Sequence, residues 1–391
     1  MTGAAHTFTA AAVPAVERRC RETLAALLSR LSEAAGDTLE GAALGGALGR
    51  GEAPTTVDAA GAFVTDAPFE LLVVLRTTPG RAASLAPHLA RDLGATARPR
   101  HAAVRVGTAA LSALALLPPT LESIECAAAG RVVSGPPDLL EPLSALVHAQ
   151  PPPVEALRLL VLRGAALLAA ERSLSRRGAG RAAVLAGQTA IRSVDLALGT
   201  VLLVSAGRFR PTDKARAAEL GLLAAPADEG TLSDGFHVEM SRTRFRDLVE
   251  RHRGAVTAAS GVDLPETLAE VRTQAGRASD LFLEVLRLFE EQRLARKLPS
   301  WTEYLRALAS RHGSSSGPGL FGARQGDELP GRRAARDWPV AERLAPALAT
   351  LLDWDPGDLP IAPVLLDLPD DASREDLVAR LSTLAAGGRE K

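Results

Sequence analysis

Cysteine and aromatic residues are nearly missing from this chain. Of 391 residues, two are cysteine, one is tyrosine and three are tryptophan, and aromatics make up only 3%. Cys20 and Cys126 lie far apart and in no metal-ligand spacing. That argues against a disulfide-stapled scaffold or a thiolate zinc site, and fits two small buried residues in a reducing compartment. An excess of charge is missing too: 45 Lys and Arg stand against 46 Asp and Glu, a net charge of −1. Without a global field there is no general attraction to nucleic acid or anionic lipid, so neither is expected as a partner. The N-terminus lacks a basic segment followed by an apolar run, so no signal peptide is expected. The most apolar window, Leu196 to Ala206, follows Asp195 and is about half a membrane span, which reads as a buried helix. A cytoplasmic location follows as the expectation. No His-Glu-x-x-His, Cys-x-x-Cys or Walker-type phosphate loop is present, and no internal repeat.

What is present is an ordinary globular composition, 47% hydrophobic and 23% charged, long enough for two domains. The stretch from Gly41 to Arg76 organises the rest. It runs through a glycine-rich segment, Gly46-Ala47-Leu48-Gly49-Arg50-Gly51-Glu52, then a Pro/Thr/Ala loop, then the apolar run Phe69-Glu70-Leu71-Leu72-Val73-Val74-Leu75. Glycines let backbone N–H groups approach a phosphate, and an acid at a strand end can hold a divalent metal. Before this segment, Val16, Cys20, Leu24, Leu27, Leu28 and Leu31 recur at a helical period.

These residues resemble the nucleotidyltransferase fold. Gly46 to Glu52 is similar to that family's Gly-Ser-x-x-Arg-Gly-Glu turn, and Phe69 to Val74 to its next strand, which usually begins Ser-Asp-x-Asp/Glu-Leu. The resemblance implies a nucleoside triphosphate held by the turn, with Gly46, Gly49, Arg50 and Gly51 as its contacts. It also implies magnesium held by acids on two strands, with Glu70 as the metal ligand. Ala47 stands where the family has Ser, and Pro68 where it has the first metal-binding Asp. On the next strand, expected at Ala102 to Val106, Arg105 occupies the place of the third acid, where a cation repels magnesium. Asp66 is the nearby substitute acid, on the same strand face as Glu70 but about 13 Å away if the chain is extended. A bend at Ala67-Pro68 shortens that distance, and Asp58 is a further candidate on the same loop. Arg50 and Glu52 have two readings, a brace across the turn or a phosphate contact.

The rest of the chain divides by composition. Arg81 to Leu93 predicts a helix. Residues 124–126 and 131–135 resemble the strands that close the sheet in larger members of the family. Pro136-Pro137 and Pro151-Pro152-Pro153 mark a boundary near residue 150. Everything beyond it is expected to be helical: 155–174, 182–206, 213–223, 234–253 capped by Asp234, 264–294 with Pro265 in its first turn, 301–309, 339–352 and 373–384. The segment 313–332, rich in Gly, Ser and Arg, reads as a mobile surface loop. Its Gly313-Ser314-Ser315-Ser316-Gly317 matches the nucleophile-elbow pattern without the strand that motif requires. Arg306 and His312 have the Arg-x5-His spacing of a class of helical ribonuclease domains, and also suit an ordinary helix C-terminus. Trp301, Trp338 and Trp354 are expected in helix seams or at a partner surface.

The expected architecture is therefore α+β: residues 1–150 a nucleotidyltransferase-like small mixed sheet with flanking helices, and residues 151–391 an all-α helical domain. Three functions stay open. The first is a catalytically degenerate nucleotidyltransferase-like protein, a nucleotide- or phosphate-binding or regulatory module with no catalysis. The second is a working magnesium-dependent nucleotidyltransferase using Glu70 with Asp66 or Asp58 on a small molecule or protein. The third is a helical scaffold that docks a protein partner and needs no cofactor.

Overall fold

The computed structural model describes residues 7–58, 60–100, 102–224, 240–259, 261–263, 267–312, 338–353, 361–368 and 372–387. It is a mixed α+β chain in two compact units. The first takes residues 1–152 together with 209–219 and 253–264; the second takes 153–208, 220–252 and 265–391.

The first unit is built on a four-stranded mixed sheet. Helix α1 (Pro14–Ala35) leads into strand β1 (Leu39–Gly45), which ends in the short helix α2 (Gly46–Arg50). Strands β2 (Thr55–Val57) and β3 (Phe63–Val64) form a small hairpin ahead of β4 (Phe69–Leu75). Helix α3 (Pro79–Ala97), strand β5 (Val104–Ala110), helix α4 (Leu121–Ala129) and strand β6 (Arg131–Ser134) follow. The order across the sheet is β5-β4-β1-β6, with β4 and β5 parallel and β1 antiparallel to both β4 and β6.

Strand β1 is the main departure from the sequence reading, which gave no strand ahead of the glycine turn. Gly-Ala-Ala-Leu-Gly has weak strand propensity, but the centre of a sheet supplies ladder hydrogen bonds on both sides, and Ala42, Ala43 and Leu44 are fully buried there. Strand β5 starts two residues later than expected and runs alongside β4 in continuous register from Phe69↔Val104 to Leu75↔Ala110. Residues 124–126, read as a strand, lie instead in α4, whose Thr120 side chain accepts from the Ser123 N–H as an N-cap.

One face of the sheet is covered by α1 and α3. Val16, Cys20, Leu27 and Leu31 from α1 join Leu89, Leu93 and Ala97 from α3 in a core with Leu71, Val73 and Leu75 of β4. The other face carries a smaller core of Val74, Ala109, Leu114, Leu139 and Leu143, supplied partly by the 3-10 turns at Leu111–Leu116 and Glu141–His148.

The second unit is helical. Helix α5 (Pro153–Ser175) packs on α6 (Arg181–Ser205), and both meet α9 (Leu268–Leu294). Helix α7 (Asp213–Ala224) starts in the first unit and ends in the second, and α8 (Arg242–Ala259) starts in the second and ends in the first. Helix α10 (Trp301–Arg311) lies in the second, with further helices at Val340–Leu352, Ile361–Leu366 and Arg374–Gly387. Not everything past residue 150 is helix: β7 (Val262–Asp263) pairs in parallel with β2 in the first unit's hairpin sheet. Helix α9 begins at Leu268, under a capping box in which Thr267 and Glu270 bond reciprocally, and continues unbroken past Gly276. Asp234, Pro265, the segment 313–332 with its Gly-x-Ser-x-Gly pattern, and Trp354 lie outside the described residues. Among the described residues no helix is long and apolar enough to cross a membrane.

Candidate functional site

Three of the residues singled out by sequence, Gly46, Glu70 and Arg105, meet at the end of β1. Antiparallel pairing sets Gly45 opposite Glu70, and the chain turns at Gly46 with φ +59°. A side-chain carbon at Gly46 would lie 2.6 Å from Glu70 Oε2, so only glycine lets the turn close over that carboxylate. Glu70 is also the register partner of Arg105 on β5, whose Nη1 reaches Oε1 at 3.1 Å. Burial pushes the Glu70 carboxyl above its ordinary range, Arg105 pulls it back, and the charges of Glu122 and Glu125 push it up again.

Asp66 is exposed on the segment leading into β4. The Asp58 carboxylate is turned into its own loop, where Oδ1 accepts from the Ala60 and Ala62 N–H groups, both at 2.9 Å. Among the described residues no group of three or more Asp, Glu, His or Cys is placed to hold a metal ion. Magnesium requires several hard oxygen ligands in octahedral arrangement, and two-metal transfer requires shared carboxylates. A lone Glu70 already paired with a guanidinium does not meet that requirement.

Arg50 is the centre of a different arrangement. Its side chain is 6% exposed and reaches three carboxylates: Glu52 at 2.8 Å from Nε, Asp213 at 3.5 Å from Nη2, and Glu125 from Nη1. Arg216, equally buried, bonds Glu125 at 2.7 Å and also pairs with Asp213. The Glu52 carboxylate in turn accepts the Asp213 N–H at 3.1 Å, at the start of α7. Two arginines and three acids thus close a buried lattice inside the first unit. Burial works against the Arg50 charge, but Glu125, Asp213 and Glu52 outweigh it and hold the guanidinium above its ordinary pKa. Of the two sequence readings of Arg50, the brace to Glu52 is formed, as one edge of this lattice.

Gly49 and Gly51 have steric roles. A side-chain carbon at Gly49 would lie 2.2 Å from the Leu44 carbonyl oxygen, and Gly51 caps α2 in the left-handed region at φ +69°. Both border a cavity of about 290 Å³, with Thr7, Gly130 and Arg131 on its other walls.

Glu125, Arg131, Asp213 and Arg216 were not legible as site residues. Glu125 is 75 positions from Arg50 and Asp213 is 163, so no local spacing links them. In the second unit, Arg306 pairs with Glu303 whereas His312 Nε2 bonds Glu342 at 2.5 Å and stacks on Trp338, so the Arg-x5-His pair is divided between two partners. Trp338 is buried, and Trp301 Nε1 donates to Asp353 at 3.0 Å. No protein-family model and no curated protein matches the chain.

Proposed function

We propose that the first unit is a nucleotidyltransferase-like module without transfer chemistry, which binds a nucleotide or another phosphate compound at the Gly46–Glu70–Arg105 corner. The observation that carries this reading is the Glu70–Arg105 ion pair between neighbouring strands. In a metal-dependent site that register position would carry an acid, and magnesium would supply the positive charge facing the phosphates. Here a half-exposed guanidinium supplies it permanently. Arg105 keeps donors beyond the one that reaches Glu70, since a guanidinium carries five. The phosphate oxygens would meet Arg105 directly.

Support comes also from the order of elements. A helix, a glycine turn, an acid-headed strand and a further strand beside it are what the family resemblance implies. The working-enzyme reading needs a second carboxylate beside Glu70. The exposed Asp66 and the turn-bound Asp58 do not provide one.

Calorimetric titration with nucleoside triphosphates, with and without magnesium, tests the proposal on wild type, Glu70→Ala and Arg105→Ala. Metal-independent binding that weakens in Arg105→Ala is the expected result. Binding that requires magnesium and disappears in Glu70→Ala would restore the enzyme reading. Absence of binding under both conditions would remove the nucleotide from the account.

A further inference from the structure

The cavity on the other side of α2 has a property that the Glu70 corner lacks. Its one bordering cation outside the Arg50 lattice is Arg131, the first residue of β6. Arg131 Nη2 donates to the carbonyl oxygens of Thr7 at 3.1 Å and Gly49 at 3.2 Å, and the guanidinium lies 5.1 Å from the Phe8 ring centroid. No carboxylate pairs with it among the described residues, and Nε and Nη1 have no hydrogen-bond partner there.

Arg50, Arg216 and Arg293, whose side chains are the most buried among the paired arginines, have carboxylates in contact. Glu17, the acid whose charge reaches Arg131, is committed elsewhere. It accepts from the N–H groups of Phe8 and Thr9 at 2.8 Å each and from the Thr9 hydroxyl at 2.7 Å. Burial accordingly lowers the Arg131 guanidinium's pKa from its ordinary value, with only the distant Glu17 opposing. A guanidinium held in place by two carbonyls and a ring, with three N–H bonds unused, is arranged to receive an oxyanion.

Gly49 and Gly130 both line the cavity, and a side-chain carbon at either would meet the carbonyl oxygen of Leu44 or Cys126 at 2.2 or 2.3 Å, so both positions are held as glycine. At about 290 Å³ the cavity suits a small head group rather than a whole nucleotide.

We infer that the cavity between α2 and the start of β6 is a binding site for a small oxyanion, a phosphate or carboxylate head group, with Arg131 as its cationic anchor. This goes beyond the nucleotide reading. It uses another wall of α2 and none of Gly46, Glu70 or Arg105.

Thermal denaturation of the full chain tests it, in sodium phosphate or sodium acetate against sodium chloride at equal ionic strength. A saturable rise in Tm with phosphate, acetate or both supports the site. Phosphate alone identifies a phosphate head group, and acetate alone a carboxylate. Arg131→Gln should weaken the apparent affinity by about tenfold or more, as expected for loss of a hydrogen bond to a charged group. Should that variant fail to fold, Ala129→Glu carries the test. It keeps Arg131 but brings a carboxylate to the cavity wall, and should abolish the response. Equal responses in wild type and these variants, or no saturable response to either anion, would overturn the inference. So would loss of the response in Arg105→Ala, because the site would then belong to the other corner.

Discussion

Glu70 and Arg105 occupy the same register position on adjacent parallel strands, and the Arg105 Nη1 lies 3.1 Å from the Glu70 Oε1. The pairing joins an acid whose pKa burial raises to the cation that pulls it back down.

Removing the cation should therefore move the acid. In Arg105→Met the Glu70 carboxyl loses the larger of the two charges that lower its pKa, leaving Arg50, while burial and the acids at Glu122 and Glu125 remain. Its titration midpoint, followed by carboxyl-carbon NMR, should rise relative to wild type. A midpoint that stays or falls would mean that Arg105 does not act on Glu70 in solution.

Gly46 and Glu70 should be thermodynamically coupled. Gly46→Ala places a methyl group in a left-handed residue and against the Glu70 carboxylate. The backbone alone should cost about 1–2 kcal/mol. Glu70→Ala removes the clash but not the backbone strain, so the double variant should recover roughly 0.5 kcal/mol or more relative to the sum of the singles. Additive urea midpoints would show that the turn does not rest on Glu70.

The Arg50 lattice should behave as a structural unit. Arg50→Met leaves Glu52, Glu125 and Asp213 buried with only Arg216 among them, and should cost about 3–5 kcal/mol of stability. Arg50→Lys should recover little, because a single ammonium cannot replace a planar fork that reaches three acids from separate nitrogens. Urea denaturation read by circular dichroism decides it. A loss within about 0.5 kcal/mol, ordinary for a surface change, would contradict the lattice.

Asp195 gives the second unit a pH dependence. It lies in α6, paired with Arg251 at 2.8 Å, while its backbone carbonyl is 3.2 Å from Nδ1 of the buried His252. Burial raises its carboxyl from 3.8 to about 6, against the pull of Arg251. A folded pKa above the unfolded one means that the folded state holds the proton more tightly. Stability from this group is full below pH 3.8 and is lost as pH rises to about 6. Asp195→Asn should remove that slope. The difference in unfolding free energy between wild type and variant should fall with pH across the window and be flat above it; a constant difference throughout would refute the shift.

The fold was legible where the pattern is local. Strand β4, read from an unbroken apolar run, and α6, read from its breadth of apolar residues, are where the sequence puts them. Strand β1 was not legible, since small residues have neither alternation nor β-branching and owe their strand to neighbours on both sides. The pair Val262 and Asp263 is too short to signal a strand at all. At the candidate corner, Gly46, Glu70 and Arg105 are named by a family pattern, and the strand register sets them side by side. The partners of Arg50 could not, because charge pairing over such separations leaves no periodic trace.

The way the first unit is stitched together bears on how the protein comes off the ribosome. Two of the five charges in the Arg50 lattice, Asp213 and Arg216, and the strand that pairs with Thr55 and Thr56 are encoded after α5 and α6. A nascent chain that has reached residue 150 thus presents Glu52, Glu125 and Arg50 with the lattice half made, and cannot finish its first unit before beginning its second. Vectorial synthesis leaves the lattice and the hairpin sheet unfinished across more than one hundred codons, from residue 152 to residue 263. A fragment cut at the proline-rich boundary should accordingly contain all four strands of the main sheet but lack β7 and two of the lattice charges.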